Sequence, residues 1–175
     1  MSRGLSMNPQ DRWRDLSEVY EKYHQSFRAS NRAAAGLAKG LCAQLQNYLG
    51  GGDVSLFEYD EDSASTYVKQ EDPFQAVTLN WTTYQWEVGY GVTLEREPGA
   101  FPKKNTFQFP VFFLIGDADI VVDTSFGEIV LKRDDDDLTP ACSLIYEGVR
   151  SALIARMNKQ PMIDKRIGFI DFDPK

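Results

Sequence analysis

Apolar positions in the first third of the chain recur in alternating steps of three and four. Trp13, Leu16, Tyr20, Tyr23, Phe27, Ser30, Ala34, Leu37, Leu41, Gln44 and Tyr48 form the series, and nine of these eleven are apolar. Such a seam predicts an α-helix with one face reserved for packing, in the manner of a heptad repeat. Its start is marked by Asn8 as a cap, Pro9 at the first helical position and Asp11 where charge suits the helix dipole. Its end is marked by Gly50–Gly52. A helix over residues 8–49 extends roughly 60 Å at 1.5 Å per residue, which is long for one domain. The stretch Ala29–Gly36 contains an Asn and a Gly and is the expected place for a break, so the segment is read either as one rod or as two. The seam also predicts self-association, as a homo-oligomer, or an intramolecular helix hairpin.

From Asp53 the period changes to two, and residues 53–133 read as an antiparallel β meander. Val77, Leu79 and Trp81 occupy odd positions, whereas Tyr84, Trp86, Val88, Tyr90, Val92 and Leu94 occupy even ones. The change at Thr82–Thr83 implies a bulge or tight turn, because a one-residue shift exchanges the faces of a strand. Both alternations are apolar from Val111 to Ile115, which predicts a central strand buried on two sides. Pro110 in the same strand implies a bulge or an edge. Short hairpins follow at Gly116–Ala118 and Thr124–Gly127, then a helix over 138–158 and a last strand over 166–172. The expected fold is a single α+β domain spanning residues 1–175. It has a long N-terminal helix, whole or broken, and a second helix packed on one face of a curled antiparallel sheet of five to seven strands.

Composition narrows the function more than it identifies it. The 175 residues are 42% hydrophobic and 13% aromatic, as in a globular chain able to bury a core. The formal net charge is −7, unevenly spread. Residues 1–50 carry seven Lys/Arg against four Asp/Glu, and the remainder carry twelve against twenty-two. An acidic body argues against nucleic acid, whose phosphates need Lys and Arg, and favours a protein partner with a basic surface. No run is apolar enough to span a bilayer, and the first residues lack a leader's apolar core; the expectation is a cytoplasmic chain with no membrane partner.

Candidate chemistry is sparse. Asp134, Asp135, Asp136 and Asp137 precede Thr139–Pro140, a cap-plus-proline signature, so they read first as a turn ahead of a helix. They lack the spaced oxygen ligands of a calcium loop. Asp117, Asp119, Asp123, Glu128 and Lys132 suggest a metal-dependent nuclease hairpin, but Glu128 and Lys132 are too far apart on a strand, roughly 13 Å, to share one metal and its water. Cys142 stands near a helix start, where the aspartates oppose a thiolate, and His24 is the one imidazole. No phosphate-cradling, nucleophile-elbow or zinc-protease motif is present, and no cofactor is implied.

Two readings emerge. The first is a non-enzymatic acidic protein-binding module, of adaptor, chaperone, inhibitor or immunity type, acting on a basic partner. Its surface would place Asp134–Asp137, Glu58, Asp60, Glu61 and Asp62 at a rim around aromatics. The second is a ligand-binding protein or enzyme with an aromatic-lined cavity between sheet and long helix, using Tyr84, Trp86 and Tyr90 with Glu87 or Asp123 as acid–base groups. Burial of the aromatics as ordinary core is the simpler alternative to both.

Overall fold

The computed structural model describes residues 8–59, 68–95, 104–157 and 168–170. Helix α1 runs unbroken from Pro9 to Tyr48. The helix is continuous through Ala29–Gly36, so the two-segment alternative falls away. Asn8 accepts from the Gln10 N–H at 3.3 Å, and Asp11 pairs with Arg14 at 2.8 Å. At the other end Gly50 and Gly51 adopt φ of 72° and 93°, and their N–H groups return to the carbonyls of Asn47 and Gln46. That is the Schellman closure, which needs a left-handed residue that glycine supplies without strain.

The strands are β1 (Asp53–Glu58), β2 (Val68–Gln70), β3 (Thr78–Leu79), β4 (Trp86–Glu95), β5 (Lys104–Ile115), β6 (Asp119–Thr124), β7 (Gly127–Lys132) and β8 (Gly168–Ile170). A four-residue helix α2 (Pro73–Ala76) separates β2 from β3, and α3 (Thr139–Met157) follows β7. All pairings are antiparallel in a curled open sheet of order β2-β1-β4-β5-β6-β7, with β3 beside β4 and β8 beside β5. The mixed α+β architecture expected from the sequence is the one observed. Of the last strand, 168–170 is seen and the flanking part of 166–172 lies outside the described residues.

Register explains Pro110. The β4–β5 ladder is continuous from Trp86↔Phe113 to Glu95↔Lys104, so no bulge is present. On its other side β5 meets β8 over Thr106–Gln108 and β6 from Val111 onward. Pro110, which has no N–H to donate, falls in the gap between them.

One face of the sheet holds the main core. Trp86, Val88, Tyr90 and Val92 of β4, Phe107, Phe109, Val111 and Phe113 of β5, and Ile120 and Val122 of β6 pack under the helices. α1 contributes Ala34, Ala35, Ala38, Leu41 and Leu45, and α3 contributes Ala141, Cys142, Ile145 and Val149. The small residues of α1 let its backbone approach the sheet, and the Tyr90 hydroxyl donates to the Ala38 carbonyl at 2.8 Å. Gly148 of α3 has the same purpose: a Cβ there would sit 2.0 Å from the Phe126 ring, which in turn packs on Phe109. The opposite face is covered too. Ser55, Phe57, Thr106, Gln108 and Phe112 are buried on it, as the two-sided pattern of β5 requires. The Gln108 side-chain amide lies there without a hydrogen-bond partner among the described residues.

The seam of α1 is buried over half its length. Trp13, Leu16, Tyr20 and Tyr23 are 74%, 63%, 63% and 49% exposed, while Ala34 and Leu41 are fully enclosed. The early half of the seam therefore has no cover among the described residues, and no described helix pairs with it there to form the expected intramolecular hairpin. No helix of the described residues is long and apolar enough to cross a membrane.

Candidate functional site

The place where aromatic side chains converge without filling the space between them is the corner where α1 leaves the sheet. The turn joining β3 to β4 is built by Asn80. Its side-chain oxygen accepts from the N–H groups of Thr82 and Thr83 at 2.9 and 3.2 Å, and its amide donates to Glu87 at 2.8 Å. The Asn80 carbonyl accepts from Tyr84 and its N–H donates to the Gln85 carbonyl. This closure holds Tyr84 at φ 58°, a left-handed conformation that is uncommon for a large side chain. The tight turn expected at Thr82–Thr83 is thus present, and Tyr84 lies in it.

Tyr84 is 68% exposed and Trp81 58%, whereas Trp86, first residue of β4, is 3% exposed. Phe27 of α1 stacks on Trp81 with centroids 5.8 Å apart and planes 8° from parallel, and meets Trp86 at 5.6 Å. Tyr23 lies one turn earlier, 6.5 Å from Phe27. The Trp86 indole N–H donates to Ser30 at 2.9 Å, fixing the ring against the helix. Together with Ser26 and Leu79 these residues line an open recess of about 200 Å³.

The three aromatics singled out from the sequence are thereby separated. Tyr84 and Trp86 both face the recess, but Tyr84 belongs to the turn and not to a shared strand face. Tyr90 is fully buried beneath Ala38, where burial pushes its hydroxyl well above the usual phenol range. Tyr23, Phe27 and Trp81 complete the recess. In the sequence Tyr23 and Phe27 fall on the helix seam and Trp81 on a strand, with no local pattern that joins them.

Of the acidic candidates, Glu58 and Asp134–Asp137 fall among the described residues, on different elements. Glu58 ends β1, and the register Phe57↔Gly89 sets it about level with Val88, two residues from Trp86. It is exposed and accepts from Gln70 at 3.4 Å. Asp60, Glu61 and Asp62 lie outside the described residues. Asp134–Asp137 sit beside Gln44, roughly 25 Å along α1 from Phe27. Their local work is structural. Asp135 accepts from the Asp137 N–H and Asp137 from the Thr139 N–H, both at 2.9 Å. The hydrogen bonds from Thr139 hold the Asp137 carboxyl below its ordinary range. Helix α3 begins at Thr139 itself, so the capping expected of that residue is performed by Asp137. Gln44 completes the joint, donating to the Asp136 carbonyl at 2.7 Å and accepting from the Leu138 N–H at 2.9 Å.

The described residues contain no group of three or more metal-ligating side chains. Lys132 pairs with Asp119 at 2.6 Å across the β6–β7 hairpin, and Asp123 faces Glu128. Cys142 is buried, and its thiol is pushed up to about 11, by burial first and the nearby Asp137 second. His24 packs edge-on to Tyr20 at 4.4 Å on exposed helix, twenty residues before Gln44, and so does not meet Cys142. A second and larger recess of about 520 Å³ opens between the end of α1, β4 and α3. Leu45, Leu49, Val92, Leu94, Ile145 and Val149 line it, with Arg150 and Tyr146 also in its wall. Neither lining includes a carboxylate. Glu87, named as an acid–base candidate, is tied to Asn80 instead. Comparison with protein-family models, with curated proteins and with solved structures finds no match.

Proposed function

We propose that the chain is a protein-binding module that receives a positively charged side chain of a basic partner in the recess walled by Tyr23, Phe27, Trp81, Tyr84 and Trp86. The observation that carries this reading is the presence of five ring systems around a recess of about 200 Å³, two of them largely exposed. Aromatic faces are electronegative, and a guanidinium or ammonium held over them gains about 0.5–2 kcal/mol according to its desolvation. The rings are pre-organised: Trp86 is anchored to Ser30, and the Asn80 turn fixes the backbone of Tyr84. The charge of −10 carried outside the first fifty residues would attract such a partner at long range. A titration with short soluble peptides that differ only in charge, followed by tryptophan fluorescence, tests this. Arginine- or lysine-bearing peptides are expected to shift the emission, weakening as salt is raised. Equal responses to basic and acidic peptides would count against it.

The larger recess supports a second reading as a pocket for an apolar ligand, because 520 Å³ lies within the range of small-molecule sites. Its walls are mostly aliphatic, unlike those of the aromatic recess. Native mass spectrometry of the purified chain would reveal an apolar passenger, and a bare-chain mass under conditions that preserve lipid complexes would oppose it.

A further inference from the structure

We propose that two copies of this chain pair through the N-terminal arm of α1, antiparallel, with Trp13 of each against Tyr23 of the other and Leu16 against Tyr20. The arm, Pro9 to Ser26, reaches roughly 27 Å beyond the point where Phe27 meets the sheet. A helix of that length is marginal in water on its own, and here its apolar seam is exposed along its whole length.

The distribution of charge points to a second copy as the occupant. With Trp13, Leu16, Tyr20 and Tyr23 as the a and d positions, Asp11, Arg14, Asp15, Glu18, Glu21 and Lys22 all fall at b, c and f, facing away from a paired helix. The flanking e and g positions are Gln10, Ser17 and His24, and Arg12, Val19 and Ser26. In the antiparallel pair Val19 meets Val19, Ser17 meets Ser17, and Arg12 meets Ser26, so no like charges oppose each other. A highly charged partner would instead leave its flanking charges without counterparts on this helix.

The position of the sheet decides the direction. Trp81 and Trp86 cover the same seam face at Phe27, and from Ala34 onward that face is core. Paired helices approach to about 8–10 Å. Two parallel copies in register would drive both sheets into the same space, whereas antiparallel copies place each sheet beyond the other's arm tip. The arm tip of one copy then lies beside the aromatic recess of the other. This pairing stands on the arm and does not depend on the recess binding a cation.

The full chain can be followed by light scattering over a range of concentrations, beside Leu16→Lys and Tyr20→Glu variants. The unsubstituted chain is expected to pass from one-chain to two-chain mass, and the variants to remain single, with the helix content that the unsubstituted chain has when it too is single. For direction, Leu16→Cys and Tyr20→Cys chains are mixed and oxidised, with the unsubstituted chain as control. A mixed disulfide is expected, because antiparallel pairing sets position 16 opposite position 20. A single-chain mass at every concentration overturns the proposal. So does Leu16→Cys linking to itself in preference to the mixed pair.

Discussion

Two leucines on the same seam of the same helix should respond in opposite ways to truncation. Leu41 is 1% exposed and belongs to the core, whereas Leu16 is 63% exposed on the arm. Leu41→Ala removes buried methyl groups and leaves a cavity in a core that can only partly collapse, at a cost of about 2–5 kcal/mol. For a chain of this length each kcal/mol shifts Tm by about 2–4 °C, so the midpoint should fall by about 4–20 °C. Leu16→Ala at high dilution should stay within about 0.5 kcal/mol of the parent, because the side chain loses little burial and alanine is the better helix former. The assay is thermal or urea unfolding followed by circular dichroism, at a concentration low enough for a single-chain mass. Equal losses at the two positions would mean that the arm folds back onto its own sheet, contrary to its exposure. A loss at Leu16 that grows with protein concentration would instead reflect pairing of copies.

Other consequences follow from the joint between the two helices. Gln44→Met keeps the volume but removes both hydrogen bonds to the 136–138 backbone; a loss of about 1–3 kcal/mol in urea unfolding is expected, and a change below about 0.5 kcal/mol would contradict the joint. Asp137 has a carboxyl lowered from its ordinary 3.8, so its contribution is present above that value and is lost as pH falls through the folded-state value. The stability gap between the parent and Asp137→Asn should accordingly be widest near neutrality and shrink on acidification below pH about 4; a gap independent of pH would mean that the Asp137 carboxylate does not stabilise the start of α3. Cys142, with a thiol near 11, is about one part in a thousand thiolate at pH 8. Labelling at Cys142 in the folded chain, read by peptide mass mapping, should be slow and should accelerate on unfolding, and prompt native labelling would show that the site is open.

Much of the framework could be read from residue order alone. The three–four spacing from Trp13 to Tyr48 located α1, and the two-sided apolar run of β5 located the centre of the sheet. What spacing cannot report is where a partner surface stops. Tyr20 and Leu41 hold equivalent positions in the repeat, yet one meets the sheet and the other meets water, because the sheet covers only part of a helix of roughly 60 Å. The break expected at Ala29–Gly36 did not form because tertiary contact of Ala34, Ala35 and Ala38 with the sheet outweighs the local cost of one glycine. Asp72–Pro73 carries the same cap-plus-proline signature as Asn8–Pro9, and it opens α2, a helix too short to show a period. The recess is not legible in residue order for a related reason. Tyr84 and Trp86 share parity and read as one strand face, but the Asn80 turn ends before the strand begins and gives Tyr84 a conformation that alternation does not encode. Phe27 reaches the recess across more than fifty residues of chain, a distance that local pattern does not bridge.

Whether the aromatic corner accepts a cationic group can be read from calorimetric titration of one arginine-bearing peptide into the parent and into Trp81→Ala at low salt. Trp81 is exposed and outside the core, so the substituted chain should fold normally, and its affinity should fall by about 2- to 30-fold, the equivalent of about 0.5–2 kcal/mol. Identical affinities, or no heat with either chain, would contradict it.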